Sequence, residues 1–174
     1  MTNKKRTKFD KNEIVIYDSY AEIILYNIKN LEVARTIINL SDVEKASKRK
    51  WRLSNGYAVS TINGTTIRLN RFLLDVTDDL IIVDHKNLNR LDNTRENLRI
   101  CTQTQNCQNV AITKRNSSGI KGVSLDAHTG KWRATIHVNG KQKSLGRFIN
   151  KINAIRVRKE AEIKYFGEFN YKEG

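Results

Sequence analysis

The stretch that decides the fold is residues 81–106, IIVDHKNLNRLDNTRENLRICTQTQN. It opens with an apolar run that ends at Asp84 and His85, which predicts a buried strand carrying both side chains to its end. Residues 86–96 are polar and rich in Asn, which predicts a loop. A second strand is predicted over residues 97–101, so we expect the two strands to pair across this loop.

A helix is predicted directly after the second strand. Thr102 with Gln105 three residues later is a capping-box signature, and it places Asn106 inside the new helix. The strand–strand–helix unit would thus present a carboxylate, an imidazole and carboxamides. His85 suits the deprotonation of water near neutral pH, and the oxygens of Asp84 and Asn106 suit a hard divalent cation. Phosphodiester hydrolysis requires such groups.

Across about residues 50–110 the sequence resembles the HNH, or ββα-metal, nuclease family, in particular its phage-borne homing endonucleases. The resemblance implies that His85 is the general base and that Asp84 and Asn106 are metal ligands, with Mg²⁺ or Mn²⁺ as the cofactor. It also implies that Asn97, as the middle Asn of the motif, belongs with His85 to the catalytic set, where it holds the loop and helps to orient the histidine.

One position departs from the family pattern. Many members have His before the Arg of the segment that runs from Leu69 to Leu74, whereas this chain has Asn70 followed by Arg71. We expect this position to be structural or to contact a phosphate, and we assign Arg71 to DNA binding.

Composition indicates a polyanionic partner. The 174 residues include 32 Lys and Arg against 18 Asp and Glu, a net charge of +14. Basic side chains that meet phosphates release condensed counterions, which favours binding to nucleic acid. Residues 117–174 hold 12 Lys and Arg against 5 Asp and Glu, so their net charge per residue is about twice that of the remainder. We expect double-stranded DNA as the partner.

The sequence gives no indication of a membrane or secreted protein. No apolar stretch approaches the roughly 18 residues of a membrane span, and the polar N-terminus lacks the apolar core of a secretory signal. Cys101 and Cys107 are expected to be reduced packing residues, since two cysteines alone do not complete a zinc site. We expect a cytoplasmic protein of a bacterial host cell, phage-encoded, without a small-molecule organic cofactor.

The C-terminal residues predict a second DNA-binding element. In residues 131–138 apolar and polar side chains alternate, which predicts a strand with one face on a helix (151–165) and one basic face. A basic sheet face can enter the major groove of DNA. The segment resembles the plant APETALA-type (ethylene-response-factor) DNA-binding domain, and this resemblance extends the set of DNA-binding residues. The predicted set is Lys121, Ser124, Lys131, Arg133, Thr135, His137, Lys143 and Arg147.

The predicted fold class is α+β with four segments. Residues 1–50 form an N-terminal β-rich region that includes a strand meander and a short helix. Residues 51–110 form the ββα-metal HNH nuclease core, and residues 111–118 form a linker. Residues 119–172 form the APETALA-type domain, a three-stranded antiparallel sheet packed on one helix. Three Asn-Gly dipeptides predict tight hairpin turns.

These predictions combine into a free-standing homing endonuclease, in which the nuclease core hydrolyses DNA phosphodiesters with Mg²⁺ or Mn²⁺ and the C-terminal domain positions the DNA. The alternative is a catalytically inactive DNA-binding regulatory protein, although the joint presence of Asp84, His85, Asn97 and Asn106 argues against decay. A structural protein without nucleic acid is a third hypothesis. The sequence does not indicate which DNA sequence is the target or whether one strand or both are cut. It also does not indicate whether the protein is a monomer or a dimer.

Overall fold

A computed structural model describes residues 7, 10–107, 116 and 118–169. The chain divides into two compact units, residues 1–101 and residues 102–174, called here the N-terminal unit and the C-terminal unit. Both combine antiparallel strands with helices, so the predicted α+β class is confirmed. Within the described part of the chain, no helix combines the length and the apolar character needed to cross a membrane.

The first sheet of the N-terminal unit is the predicted strand meander. Its three antiparallel strands follow chain order: β1 (Ile14–Ile16), β2 (Ala21–Tyr26) and β3 (Glu32–Ile38). The central strand β2 is the most buried because it is covered on both edges by hydrogen-bonded neighbours and carries a run of apolar side chains. A 3-10 turn at Leu40–Asp42 then leads into the short helix α1 (Val43–Ser47).

The second sheet is built from two hairpins. Its strands are β4 (Arg52–Ser54), β5 (Tyr57–Ile62) and β6 (Thr65–Arg68), and helix α2 (Leu69–Leu73) follows directly. Both turns are Asn-Gly dipeptides with positive φ at each residue, 49° and 79° in the first and 50° and 79° in the second. Two successive residues with positive φ define the type I′ turn that matches strand twist, so the hairpin prediction is confirmed.

The two sheets share one apolar core. Trp51 is fully buried and donates its indole N–H to the carbonyl of Ala46 at 2.9 Å. Side chains from both sheets and from α2 pack in this cluster: Ala21, Ile23, Leu25, Ile38, Ala58, Leu69 and Leu73. The predicted boundary at residue 50 therefore falls inside one folded unit, because the segments on either side bury their apolar faces together.

The central motif folds into the predicted order of strand, strand and helix. Strand β7 (Ile82–His85) pairs antiparallel with β8 (Leu98–Cys101), and helix α3 (Gln103–Asn106) follows. The predicted capping box is confirmed, since the Thr102 hydroxyl accepts from the Gln105 amide and the Gln105 side chain accepts from the Thr102 amide. Helix α3 belongs to the C-terminal unit, so a compact ββα-metal core remains a prediction.

The C-terminal unit is a three-stranded antiparallel sheet packed on one helix, as predicted. The strands are β9 (Val123–Asp126), β10 (Lys131–Val138) and β11 (Lys141–Phe148), with β10 in the centre, and α4 (Lys151–Phe166) covers one face. The core contains Val123, Ala134, Ile136, Ala154, Ala161 and Phe166. Apart from Asn116 and Ser118, the predicted linker at 111–118 lies outside the described residues.

Candidate active site and nucleic-acid interface

The β7–β8 hairpin buries a carboxylate and pairs it with a guanidinium. Asp84 lies directly opposite Arg99 in the strand register. Arg99 donates from Nε and Nη2 to Asp84 Oδ2 at 3.1 and 2.8 Å, and both side chains are less than a tenth exposed. A buried charge is stable only when it is paired, and Arg99 supplies the opposite charge next to Asp84 inside the hairpin.

His85 heads a chain of hydrogen bonds that determines its tautomer. Its Nε2 lies 3.2 Å from Asn93 Oδ1, while Asn93 Nδ2 donates to Thr36 Oγ1 at 2.7 Å and to the carbonyl of Arg90 at 3.4 Å. A carbonyl can only accept, so the Asn93 amide is oriented with its oxygen toward the imidazole. His85 Nε2 must therefore carry the hydrogen, and in the neutral ring Nδ1 carries the lone pair.

Burial keeps His85 in its neutral form. Desolvation lowers the pKa of His85 below its ordinary value, against the opposing effect of the Asn93 hydrogen bond. The protonated ring is disfavoured because a charge loses its hydration inside the fold. At neutral pH the side chain is therefore an uncharged imidazole that can accept a proton.

The loop between β7 and β8 is closed by Asn97. The Asn97 side chain accepts from the Asn87 amide at 3.0 Å and donates to the Asp92 carbonyl at 2.7 Å, so one carboxamide joins both arms of the loop. This is the loop-holding role that the family resemblance implied. Asn93 contacts the His85 ring directly, while the orienting role of Asn97 and its place in the catalytic set stay predictions.

The N-terminal sheet also supports the loop. The Ile37 amide on β3 donates to the Leu91 carbonyl, and the Asn93 amide donates to the Ile37 carbonyl, both at 2.8 Å. The Thr36 hydroxyl donates to the same Leu91 carbonyl at 2.8 Å. The β-rich segment that precedes the motif therefore forms one wall of the site, and it connects to His85 through Thr36 and Asn93.

Helix α2 supports β7 from another side. Asn70 is buried and donates to the carbonyl of Val83 at 3.1 Å, and among the described residues its Oδ1 has no hydrogen-bond partner. Arg71 donates to the carbonyls of Ile81 and Asp78 and forms an ion pair with Asp79. These contacts give Arg71 a structural role, and its predicted phosphate contact is not part of this geometry.

Each of the two predicted metal ligands is of a donor type that suits a hard divalent cation. Asp84 offers a carboxylate, and Asn106, half-buried at the end of α3, offers a carboxamide oxygen. Across the described residues no group of three or more His, Cys, Asp or Glu side chains converges as a metal cluster. Mg²⁺ often takes only one or two protein oxygens and completes its coordination with water and phosphate. Joint coordination by Asp84 and Asn106 remains a prediction.

The open face of the C-terminal sheet carries a row of polar side chains. Arg133 on β10 pairs with Ser124 on β9 and with Arg147 on β11, and directly opposed residues share a face. All three side chains are exposed, although Arg147 also lies 3.7 Å from Asp126. The strand register therefore places three residues of the predicted DNA-binding set side by side on one face of the sheet.

The remaining predicted contacts of β10 lie on the same face. Lys131 and His137 are exposed there, because alternate residues of a strand point to the same side. Thr135 is half-buried, and its hydroxyl donates to the Gly122 carbonyl at 3.4 Å. The predicted alternation of β10 is confirmed, since Ala134 and Ile136 are buried on the other side.

Two predicted DNA contacts lie elsewhere. Lys143 pairs with the buried Ile136, and its Nζ lies 5.0 Å from the ring centroid of Tyr165 on α4. Lys143 is therefore on the helix side of the sheet, not on the face of Arg133. Lys121 is half-buried and donates to the Cys107 carbonyl at 3.4 Å, and burial together with Arg158 lowers its pKa.

Sequence reasoning missed three residues of the site. The sequence places Asn93 in the polar loop without indicating a role, shows Thr36 as one of many β-branched strand residues, and includes Arg99 in the motif without indicating a partner. Arg99 could have been found from strand pairing, since a hairpin closed by residues 86–96 brings Asp84 opposite it. For Thr36 the local sequence contains no comparable signal.

The N-terminal unit thus combines a buried imidazole with a buried carboxylate, in a chain whose net charge is +14. The chain is 30% identical over 179 residues to an uncharacterized HNH endonuclease of Acanthamoeba polyphaga mimivirus, across 95% of this chain and 91% of that protein. The chain therefore belongs to the HNH endonuclease family, which confirms that part of the resemblance.

A second relative matches a shorter stretch of the chain. Protein 3.8 of Escherichia phage T7 is 37% identical over 60 residues, which cover 34% of this chain and 50% of that protein. No family model matches the chain, and no solved structure matches it. Neither relative's name supports the APETALA-type resemblance of the C-terminal unit, which stays a prediction.

Proposed function

We propose that this protein is a metal-dependent endonuclease that hydrolyses phosphodiester bonds in double-stranded DNA. The observation that carries the proposal is the buried hydrogen-bond chain from His85 through Asn93 to Thr36. It holds a neutral imidazole with its basic nitrogen defined, which is what a general base for water requires. Membership of the HNH endonuclease family supports the same activity.

The residues of the chain divide the work. Nδ1 of His85 takes a proton from the attacking water, and the imidazolium that forms keeps its Nε2 hydrogen bond to Asn93. Asp84 and Asn106 would hold Mg²⁺ or Mn²⁺, which when bound stabilises negative charge on the phosphate and on the leaving oxygen. Arg99 positions the Asp84 carboxylate, and Asn97 keeps the loop closed around the histidine.

The C-terminal unit would position the DNA. Its open face carries Arg133, Arg147 and Lys131 in solvent, where guanidinium and ammonium groups can meet phosphates or base edges. A separate positioning sheet favours cutting at a defined site, as the homing type requires. More specifically, we propose that this unit docks on DNA in the manner of an APETALA-type domain.

One observation favours the second candidate, a DNA-binding regulatory protein without cleavage activity. Asp84 Oδ2 already accepts two hydrogen bonds from Arg99, and a cation at Asp84 would have to share the carboxylate with this guanidinium. In an inactive protein the Asp84–Arg99 pair would serve only the stability of the hairpin. The two candidates differ in metal binding and in cleavage.

The test is cleavage of supercoiled plasmid by the full-length protein, together with calorimetric titration by Mn²⁺. We expect nicked or linear DNA with Mg²⁺ or Mn²⁺, none in excess chelator, and a loss of about 10²-fold or more in Asp84→Asn. Asp42→Asn is the matched control, because Asp42 is equally buried and is also paired with an arginine, Arg95. If the wild type binds DNA but neither cleaves it nor takes up Mn²⁺, the regulatory alternative is established.

A further inference from the structure

Two arginine side chains lie over an aromatic ring that is next to His85. The ring of Tyr57, at the start of β5, lies 6.1 Å from the His85 ring between centroids. The guanidinium carbon of Arg68 lies 4.3 Å from the Tyr57 centroid, and that of Arg90 lies 4.7 Å from the same point. Because both distances are measured to one ring, two guanidinium groups contact the aromatic side chain that lies next to the imidazole.

Neither arginine has an acidic partner within the described residues. Five other arginines of the N-terminal unit are held by carboxylates or stack elsewhere: Arg35, Arg49, Arg71, Arg95 and Arg99. Arg68 and Arg90 are both exposed, and Arg90 donates one of its five N–H groups to the Asn55 carbonyl at 3.2 Å. An exposed guanidinium without a carboxylate partner is available to an anion, and a phosphate beside it forms charge-assisted hydrogen bonds.

We propose that Arg68 and Arg90, stacked on Tyr57, form an anchor for the phosphates of the DNA strand that is cut. This inference rests on the proposed endonuclease function and adds the residues that hold the substrate against His85. A guanidinium that lies over an aromatic ring can keep N–H groups available for a phosphate, whose oxygens a planar guanidinium binds in pairs. The anchor would bring the scissile phosphodiester to the general base.

The composition of the site explains why a backbone phosphate is the ligand. The groups that contact the Tyr57 ring beside His85 include two guanidinium cations, and guanidinium groups bind phosphate oxygens. Arg71, the arginine that the sequence assigned to phosphate contact, is occupied by backbone carbonyls. Arg68 and Arg90 take over that assignment.

The test compares Arg68→Gln, Arg90→Gln and the double variant with wild type in the full-length protein. DNA binding is measured in chelator at several salt concentrations, and cleavage is measured with Mg²⁺ as kcat and KM. We expect the slope of log affinity against log salt to become shallower by about 0.9 for each phosphate contact removed. Cleavage should fall by about tenfold for each arginine, since each loses a charge-assisted hydrogen bond to the substrate.

Two further variants serve as controls. Arg49→Gln removes an arginine that stacks on another ring, that of Phe72 at 4.7 Å, and should behave as wild type in both assays. Replacing Arg68 and Arg90 by Lys should restore the salt slope, because charge is kept, and restore cleavage only in part, because the planar fork is lost.

The outcomes separate this inference from the proposed function. If the wild type cleaves and the double Gln variant keeps both its rate and its salt slope, the anchor is wrong and the endonuclease stands. If the wild type binds DNA without cleaving it, the endonuclease proposal fails, and an unchanged salt slope in the double variant would then overturn the anchor as well. If Arg49→Gln loses affinity and cleavage to the same extent as the other variants, the effect comes from net charge alone. That result would also overturn the anchor.

Discussion

The N-terminal unit keeps its polar site groups inside the fold, whereas the C-terminal unit displays its basic groups on the surface. Asp84, His85, Asn93 and Arg99 are all less than a tenth exposed; Arg133 and its neighbours on β10 face solvent. Buried polar groups must satisfy one another, so each determines the orientation of the next. Exposed cations are independent of one another and contribute in small, nearly equal steps. Under the proposed function, the first region would carry out the chemistry and the second would attract the DNA.

The largest effect should come from the general base. His85→Ala removes the nitrogen that accepts the proton of water, so cleavage should fall by roughly 10²–10⁴-fold. DNA affinity measured in chelator should stay close to wild type, because the imidazole is buried and neutral. Plasmid cleavage and fluorescence anisotropy measure the two quantities. Comparable cleavage by the variant would remove His85 from the mechanism and end the contrast between the two regions.

The ion pairs of the two units should differ in their contribution to stability. Arg99→Met removes the guanidinium that is paired with the buried Asp84 carboxylate, which should lower the free energy of unfolding by about 3–5 kcal/mol. Arg147→Met removes an arginine that is 56% exposed and lies 3.7 Å from Asp126, and it should leave the unfolding midpoint nearly unchanged. Denaturant titration of both variants gives the comparison. Equal losses would mean that burial does not distinguish the two pairs.

A smaller effect should follow from loss of the residue that orients the histidine. Asn93→Leu removes the acceptor for His85 Nε2, and we expect kcat to fall about tenfold with KM unchanged, because the tautomer is no longer defined. Nitrogen-15 spectra of the imidazole should show Nε2 protonated in the wild type and a mixture of tautomers in the variant. Thr36→Val should shift the spectrum in the same direction. Fully retained Nε2 protonation in Asn93→Leu would show that another group determines the tautomer.

Local sequence predicted the elements of this fold well because their causes are local. The Asn-Gly turns, the Thr102 capping box and the alternation of β10 each depend on a few neighbouring residues. The same patterns placed Asp84 and His85 at the end of a strand. Family resemblance, in turn, identified Asn97 as the residue that closes the loop.

What the sequence could not predict depends on contacts between distant residues. Thr36 and Asn93 are 57 positions apart, and their hydrogen bond exists only because β3 lies beside the loop. Lys143 illustrates a different cause. Simple alternation back from Arg147 places Lys143 on the open face, but the register shifts between Ala134 and Thr135. A bulge adds one residue to β11 and moves Lys143 to the helix side.

This shift supplies the finest comparison, between two basic side chains of one sheet. Arg133→Gln removes a cation from the open face, and Lys143→Gln removes one from the side of α4. If the open face meets DNA, Arg133→Gln should weaken binding a few-fold and reduce the salt slope by about 0.9, the value for one phosphate contact. Lys143→Gln should leave the slope unchanged, although both variants lower the net charge equally. Affinity measured in chelator over a range of salt concentrations decides between them. Equal effects would mean that the C-terminal unit attracts DNA through net charge alone, and a larger effect at Lys143 would place the DNA along the helix side, where Tyr165 now holds the ammonium group.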